Sequence, residues 1–276
     1  MGISSLPQPL LVAIAKDGYL TPTYSFADLE HMPLIAAPKY GQDLTFAKGR
    51  KAPNKQSVGT DSKVLKEKMR ALLRIFAAGD TKAMASKLFE QFLKDDNNTV
   101  KYFTNEDLNS ASDKHENIKY FCDAALSAPN LRNKSEGKNR IHQALKKANW
   151  DITKMYQILD LGVPAFDIGS KLWSTEDFNN GLGLMVNGVQ YVYVIATDYT
   201  YDKKNEKYTI SLKYLFYDVF GLDDDDLNEY GAPSDSFRSS TAAKGITAWW
   251  QLQFQFNHAP LVTRIELDRT YECPAK

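Results

Sequence analysis

The chain has little with which to build covalent or metal cross-links. It holds two cysteines in 276 residues, Cys122 and Cys273. They lie far apart and form no Cys-x-x-Cys spacing, which excludes a disulfide framework and gives no thiolate metal motif. One bridge between them stays open, although Cys122 falls on the apolar side of a helical stripe, where a buried free thiol is expected. Net charge is absent as well. The 34 Lys and Arg residues balance 34 Asp and Glu residues, so no broad field draws the chain to nucleic acid or anionic lipid, which argues against a general nucleic-acid binder. The local patch Lys48-Gly-Arg-Lys-Ala-Pro-Asn-Lys55 reads as a flexible basic loop. Long apolar runs are missing too, and nothing approaches the roughly 18 residues of a membrane span. Leu6 to Ala15 is apolar, but it lacks a basic start and carries Pro7 and Pro9, so it does not read as a cleaved signal. The expectation is a soluble chain made in the cytoplasm; if it acts outside the cell, a dedicated route must export it.

Familiar catalytic signatures are also missing: no phosphate loop, no dinucleotide glycine pattern, no His-Glu-x-x-His and no Gly-x-Ser-x-Gly. The four histidines, His31, His115, His142 and His258, are scattered. His115 and His142 fall on polar helix faces and read as surface residues. His258 lies between a Trp-rich helix and the last strand, and is the histidine nearest the acidic loop in topology.

What is present has a clear order. Residues 1–60 are rich in proline, glycine and threonine without a sustained period, and read as a loop-rich segment. Residues 61–164 read as helical. From Asp61 the pattern changes to a helix carrying Leu65, Met69, Leu72 and Phe76 that Gly79 closes; Asp80 caps a second with Met84, Leu88, Phe89 and Phe92. Ile118, Phe121, Cys122, Ala125 and Leu126 form a third stripe, Ser135 to Ala148 a fourth helix, and Asp151 caps a short fifth ended by Gly162 and Pro164. In residues 165–276 the period switches to two. Leu182 to Val186, Asn187-Gly188 and Val189 to Tyr201 predict a hairpin, and Asp202 to Lys207 a charged turn into a third strand, Tyr208 to Asp218. A helix with Ile246, Trp249, Trp250, Leu252, Gln253 and Phe256 and a strand from Leu261 to Leu267 follow. The expected class is α+β, a helical layer packed on a C-terminal antiparallel meander in one composite core.

The segment Tyr214-Leu-Phe-Tyr-Asp-Val-Phe-Gly-Leu-Asp-Asp-Asp-Asp-Leu227 is the richest in chemistry, because an apolar strand runs into four consecutive aspartates. Alternation puts Asp218 on the same face as Leu212, Tyr214 and Phe216. A carboxylate on such a face is expensive unless it is bonded, metal-bound or catalytic. The alternative is a solvated acidic turn.

The second half resembles a known family. Asn180-Gly-Leu-Gly-Leu-Met-Val186, Tyr217-Asp-Val-Phe-Gly-Leu-Asp-Asp-Asp-Asp226, Trp249-Trp-Gln-Leu-Gln253 and Ala259-Pro-Leu-Val-Thr263 are similar to the proteobacterial domain of unknown function 3289 family. Its members resemble antibacterial effectors that accompany type VI secretion. The likeness spans roughly Val64 to Tyr271 and implies export without a signal peptide and action in the periplasm of a target cell. It also implies a cognate immunity protein and a secretion-spike component as partners. Where the family shows Asp-His-Phe-Gly-Leu-Asp, this chain has Asp218-Val-Phe-Gly-Leu-Asp223, without the histidine. A fainter likeness, to the activity domain of colicin M-type bacteriocins, implies hydrolysis of the lipid-linked peptidoglycan precursor at its pyrophosphate with Mg²⁺. Only Tyr217 and Asp218 match there. Arg238 and Arg264 are the nearest basic side chains. On that scheme Asp218 and Asp223 hold metal or act as base, with Asp226 as a further ligand. Arg264 meets the phosphate, and Trp249, Gln253 and His258 line the substrate. Two other readings remain, a non-enzymatic membrane-perturbing effector and a cargo or adaptor of a secretion spike.

Overall fold

Asp61 starts the first helix by accepting the Lys63 amide on its side chain at 2.7 Å, the local bond that satisfies an otherwise orphaned helical N–H. The computed structural model describes residues 6, 8–16, 44–52, 57–77, 79, 81–124, 140–155, 159–164, 166, 181–186, 188–231 and 237–276. Among them the helices are α1 (Ser62–Phe76), α2 (Lys82–Phe92), α3 (Glu106–Lys114), α4 (Glu116–Ala124), α5 (Arg140–Lys147), α6 (Leu182–Met185), α7 (Asp224–Tyr230) and α8 (Phe237–Gln255). The strands are β1 (Leu10–Lys16), β2 (Lys101–Thr104), β3 (Leu159–Leu161), β4 (Tyr191–Asp202), β5 (Lys207–Phe220) and β6 (Leu261–Pro274). The chain is α+β.

The sheet runs β2-β6-β5-β4-β1-β3. The pairs β1/β4, β4/β5 and β5/β6 are antiparallel, whereas β2/β6 and β1/β3 are parallel. It is therefore mixed rather than a pure antiparallel meander, and its strands come from all three expected segments. The loop-rich beginning supplies β1, whose Val12, Ala13 and Ala15 are buried beside β4. The apolar stretch that imitates a signal is thus a sheet strand. The expected flexible basic loop, Lys48 to Lys55, is described as far as Ala52, and with Ala47 it lies against the end of α8: the amides of Ala47, Gly49 and Arg50 donate to the carbonyls of Gln253, Gln255 and Phe254. These are carbonyls a helix end leaves without intrahelical partners.

Three further expectations give way to packing. Leu182–Met185 forms one helical turn entered through Gly181 at φ 93°, not the first strand of a hairpin. A short apolar run has no period of its own, so the burial of Leu182, Leu184 and Met185 decides its shape. The fifth helix shrinks to a 3-10 turn, Ile152–Lys154, capped by Asp151, and Leu159–Leu161 is strand. The second helix is capped at Thr81 without a side-chain bond. Asp80, Ala125, Leu126, Ser135 and Asn187 lie outside the described residues. The Asp202 turn is as expected: its carboxylate accepts the amides of Lys204 at 2.9 Å and Asn205 at 3.2 Å.

The buried residues of the helices join Val192, Val194, Leu212, Tyr214, Phe216, Phe220, Ile265 and Leu267 in one core on the first face of the sheet. At its centre α1 and α8 meet through Gly245, where a Cβ would lie 2.5 Å from Leu72 Cδ2. The second face carries a smaller cluster, with Tyr191, Tyr193, Ile195, Leu215, Tyr217, Val219 and Val262 joined by Leu11 and Leu44.

Candidate functional site

Asp218 is 6% exposed. Alternation along β5 sets it on the first face between Phe216 and Phe220. Its carbonyl accepts the Thr263 hydroxyl at 3.1 Å, tying β5 to β6. Five residues on, the aspartate run forms a helix start. Asp223 Oδ1 accepts the amides of Asp225 at 2.8 Å and Asp226 at 2.9 Å, while its own amide donates to Asp226 Oδ2 at 3.0 Å. This is a capping box, and it sets carboxylates at the positive end of the α7 dipole. Asp224 reaches elsewhere, accepting the Trp250 indole N–H at 3.1 Å and Arg50 Nη2 at 2.5 Å. The Arg50 guanidinium also lies 4.5 Å from the Phe254 ring centroid.

The expected metal trio of Asp218, Asp223 and Asp226 therefore does not assemble. Two of its members bond each other's backbone, and among the described residues no three His, Cys, Asp or Glu side chains are placed to hold a metal ion. Burial, reinforced by the neighbouring charges of Asp223, Glu229 and Asp225, pushes the Asp226 carboxyl up to about 6. A carboxyl raised in the folded state binds its proton more tightly there, so its contribution is favourable at low pH and is lost as pH climbs from about 4 to about 6. We expect Asp226→Asn to remove a decline on the order of 2 kcal/mol over that window. Urea titrations of both proteins at several pH values check this; parallel curves would show Asp226 ionised in the folded chain at acid pH.

The residues assigned to substrate lie in the core. Trp249 is 4% exposed and packs on Phe220 with ring centroids 4.3 Å apart, beside Phe89 and Phe92. Gln253 is fully buried and forms a clamp: Nε2 donates to the carbonyls of Thr45 at 2.8 Å and Leu222 at 3.0 Å, and Oε1 accepts the Leu222 amide at 3.0 Å. His258 meets the Phe92 carbonyl through Nδ1 at 2.9 Å, and burial lowers its pKa. His142, expected on the surface, is buried with its Nδ1 2.9 Å from the Tyr208 hydroxyl. His31 and the side chain of Arg238 lie outside the described residues.

Tyr217 and Arg264 belong to the second face. They are register partners across β5 and β6, as Asp218 and Thr263 are on the first. Tyr217 and Asp218 thus point to opposite sides of the sheet, and the centre expected from Tyr217, Asp218, Asp223 and Arg264 is divided. Beside Tyr217 and Arg264 stands Tyr102 of β2, which no sequence signal marked. The hydroxyls of Tyr102 and Tyr217 and the Arg264 Nε are buried, and no hydrogen-bond partner meets them among the described residues. Each such group costs roughly 1–3 kcal/mol when left unmet. Burial holds both phenols protonated, Tyr217 at about 12, with Arg264 acting in the opposite sense. Arg264 Nη2 pairs with Glu266 at 2.5 Å, and Lys213 approaches Glu266 at 3.7 Å.

Compared with known protein families, curated proteins and solved structures, the chain matches none of them. No described helix is long and apolar enough to cross a membrane.

Proposed function

We propose that this chain is an antibacterial effector, exported by a dedicated secretion machine, that acts on the envelope of a competing cell. What supports the reading is the meeting of three segments that carry the family resemblance. Trp249 stacks on Phe220, Gln253 clamps Leu222, and Thr263 bonds the Asp218 carbonyl. Three separate segments thereby meet at the end of β5, where Asp218 is buried. The reading entails a cognate immunity protein and a secretion-spike component as partners. For hydrolysis of a lipid-linked precursor, Asp218 is the one carboxylate of the three outside the helix cap. Tyr217 and Arg264 work from the other face, so no joint step is assigned to them.

Expressed in a sensitive bacterium, the chain is expected to lyse cells when directed to the periplasm and to be harmless in the cytoplasm. Asp218→Asn should abolish lysis at an unchanged melting temperature, because Asn keeps the size and loses the charge a base requires. Asp223→Asn should retain lysis, since Asn also caps helices. Depolarisation without lysis would favour a non-enzymatic effector. Harmlessness in both compartments would overturn the proposal and favour a secretion-spike cargo.

A further inference from the structure

We infer that the second face of the sheet carries an anion-binding site formed by Tyr102, Tyr217 and Arg264, suited to a phosphate or carboxylate group. The inference is independent of the effector reading, since it uses neither the aspartate run nor the family resemblance. It starts from placement. Tyr217 and Arg264 face each other across β5 and β6, and Tyr102 is carried by β2, the next strand along, as the register partner of Val262, two residues before Arg264 on the same face. Opposed residues on a sheet hold their Cβ atoms about 5 Å apart and diagonal ones about 7–8 Å, within reach of tyrosine and arginine, so the three side chains share one patch.

The second element is chemical. All three of the unmet atoms can donate: two phenol hydroxyls that stay protonated and one guanidinium N–H. Buried donors are ordinarily bonded. Three of them on one patch, none met among the described residues, define a place for an acceptor the polypeptide does not supply there. Lys213 and Arg264 flank the Glu266 carboxylate, and Asp268 is the register partner of Lys213 on the same face, so these four charges balance and the donors themselves define the preference. An arginine with hydroxyl donors beside it recognises oxyanions by charge-assisted bonds, and the apolar wall of Tyr191, Tyr193 and Val262 strengthens them by excluding water. Access is from the arginine side, where 23% of the Arg264 side chain remains exposed.

The test is calorimetric titration of the full chain with inorganic phosphate, pyrophosphate and acetate at constant ionic strength set by chloride, with melting curves alongside. Saturable binding of at least one anion is expected. Tyr217→Phe and Tyr102→Phe should each weaken it tenfold or more. Without anion, both variants should melt no lower than the parent, because they remove only an unbonded hydroxyl. A preference for phosphate or pyrophosphate would assign a phosphoryl ligand, and a preference for acetate a carboxylate. Absence of binding by all three anions would overturn the inference, as would undiminished binding by the Phe variants. So would a lower melting temperature for those variants without anion, which would show the hydroxyls to be satisfied within the protein.

Discussion

Leu212→Asp is expected to destabilise the chain by on the order of 5 kcal/mol, a large part of the 5–15 kcal/mol typical of a domain. Leu212 is 1% exposed in the middle of β5, on the face against which the helices pack. The substitution removes the apolar contacts and puts a charge in their place. Its register partner on β6, Arg269, already pairs with Asp113, so rescue by a new ion pair would break an existing one. Urea denaturation measures the effect. A soluble variant with an unchanged midpoint would mean that this face of β5 meets water.

Gln253→Leu is expected to cost on the order of 4 kcal/mol while leaving shape and volume nearly unchanged. The loss comes from the Leu222 amide and carbonyl and the Thr45 carbonyl, which the Gln253 amide serves together. Hydrogen exchange at the Leu222 amide should accelerate in step with the fall in the denaturation midpoint. If Gln253 instead serves a ligand, the variant would melt like the parent and lose only toxicity. The two roles thus separate in one pair of measurements.

The parts of the fold legible in the sequence are those fixed by local rules. The first helix begins at Asp61 and Asp151 caps its turn, each where its position places it, and the long helix of Trp249 and Trp250 and the alternating run from Tyr208 form as their periods require. Elements of three or four residues, β2 and β3, carry too little periodicity to register and exist because a longer neighbour offers an edge. At the candidate site, the burial of Asp218 followed from alternation. The same rule puts Tyr217 on the other face, which separates two residues that look adjacent on the page. The Asp223-x-x-Asp226 spacing is that of a capping box, a role as local as any in the chain. The clamp of Gln253, the aromatic packing of Trp249 and the Phe92 contact of His258 depend on partners far away in sequence and have no local signature. Tyr102 is hidden for the same reason, since β2 has meaning only beside β6.

The position of β1 bears on how the chain is made. Leu10–Lys16 is an interior strand, lodged between β3 and β4, and its antiparallel partner Tyr191–Ala196 is synthesised much later than it is. At ribosomal speeds of roughly 5–20 residues per second, that interval is on the order of ten to forty seconds. Throughout it, one edge of an apolar segment waits without its antiparallel neighbour. The sheet therefore closes around β1 only once β4 has been synthesised, and a factor that shields β1 until then is expected to raise the yield of folded protein.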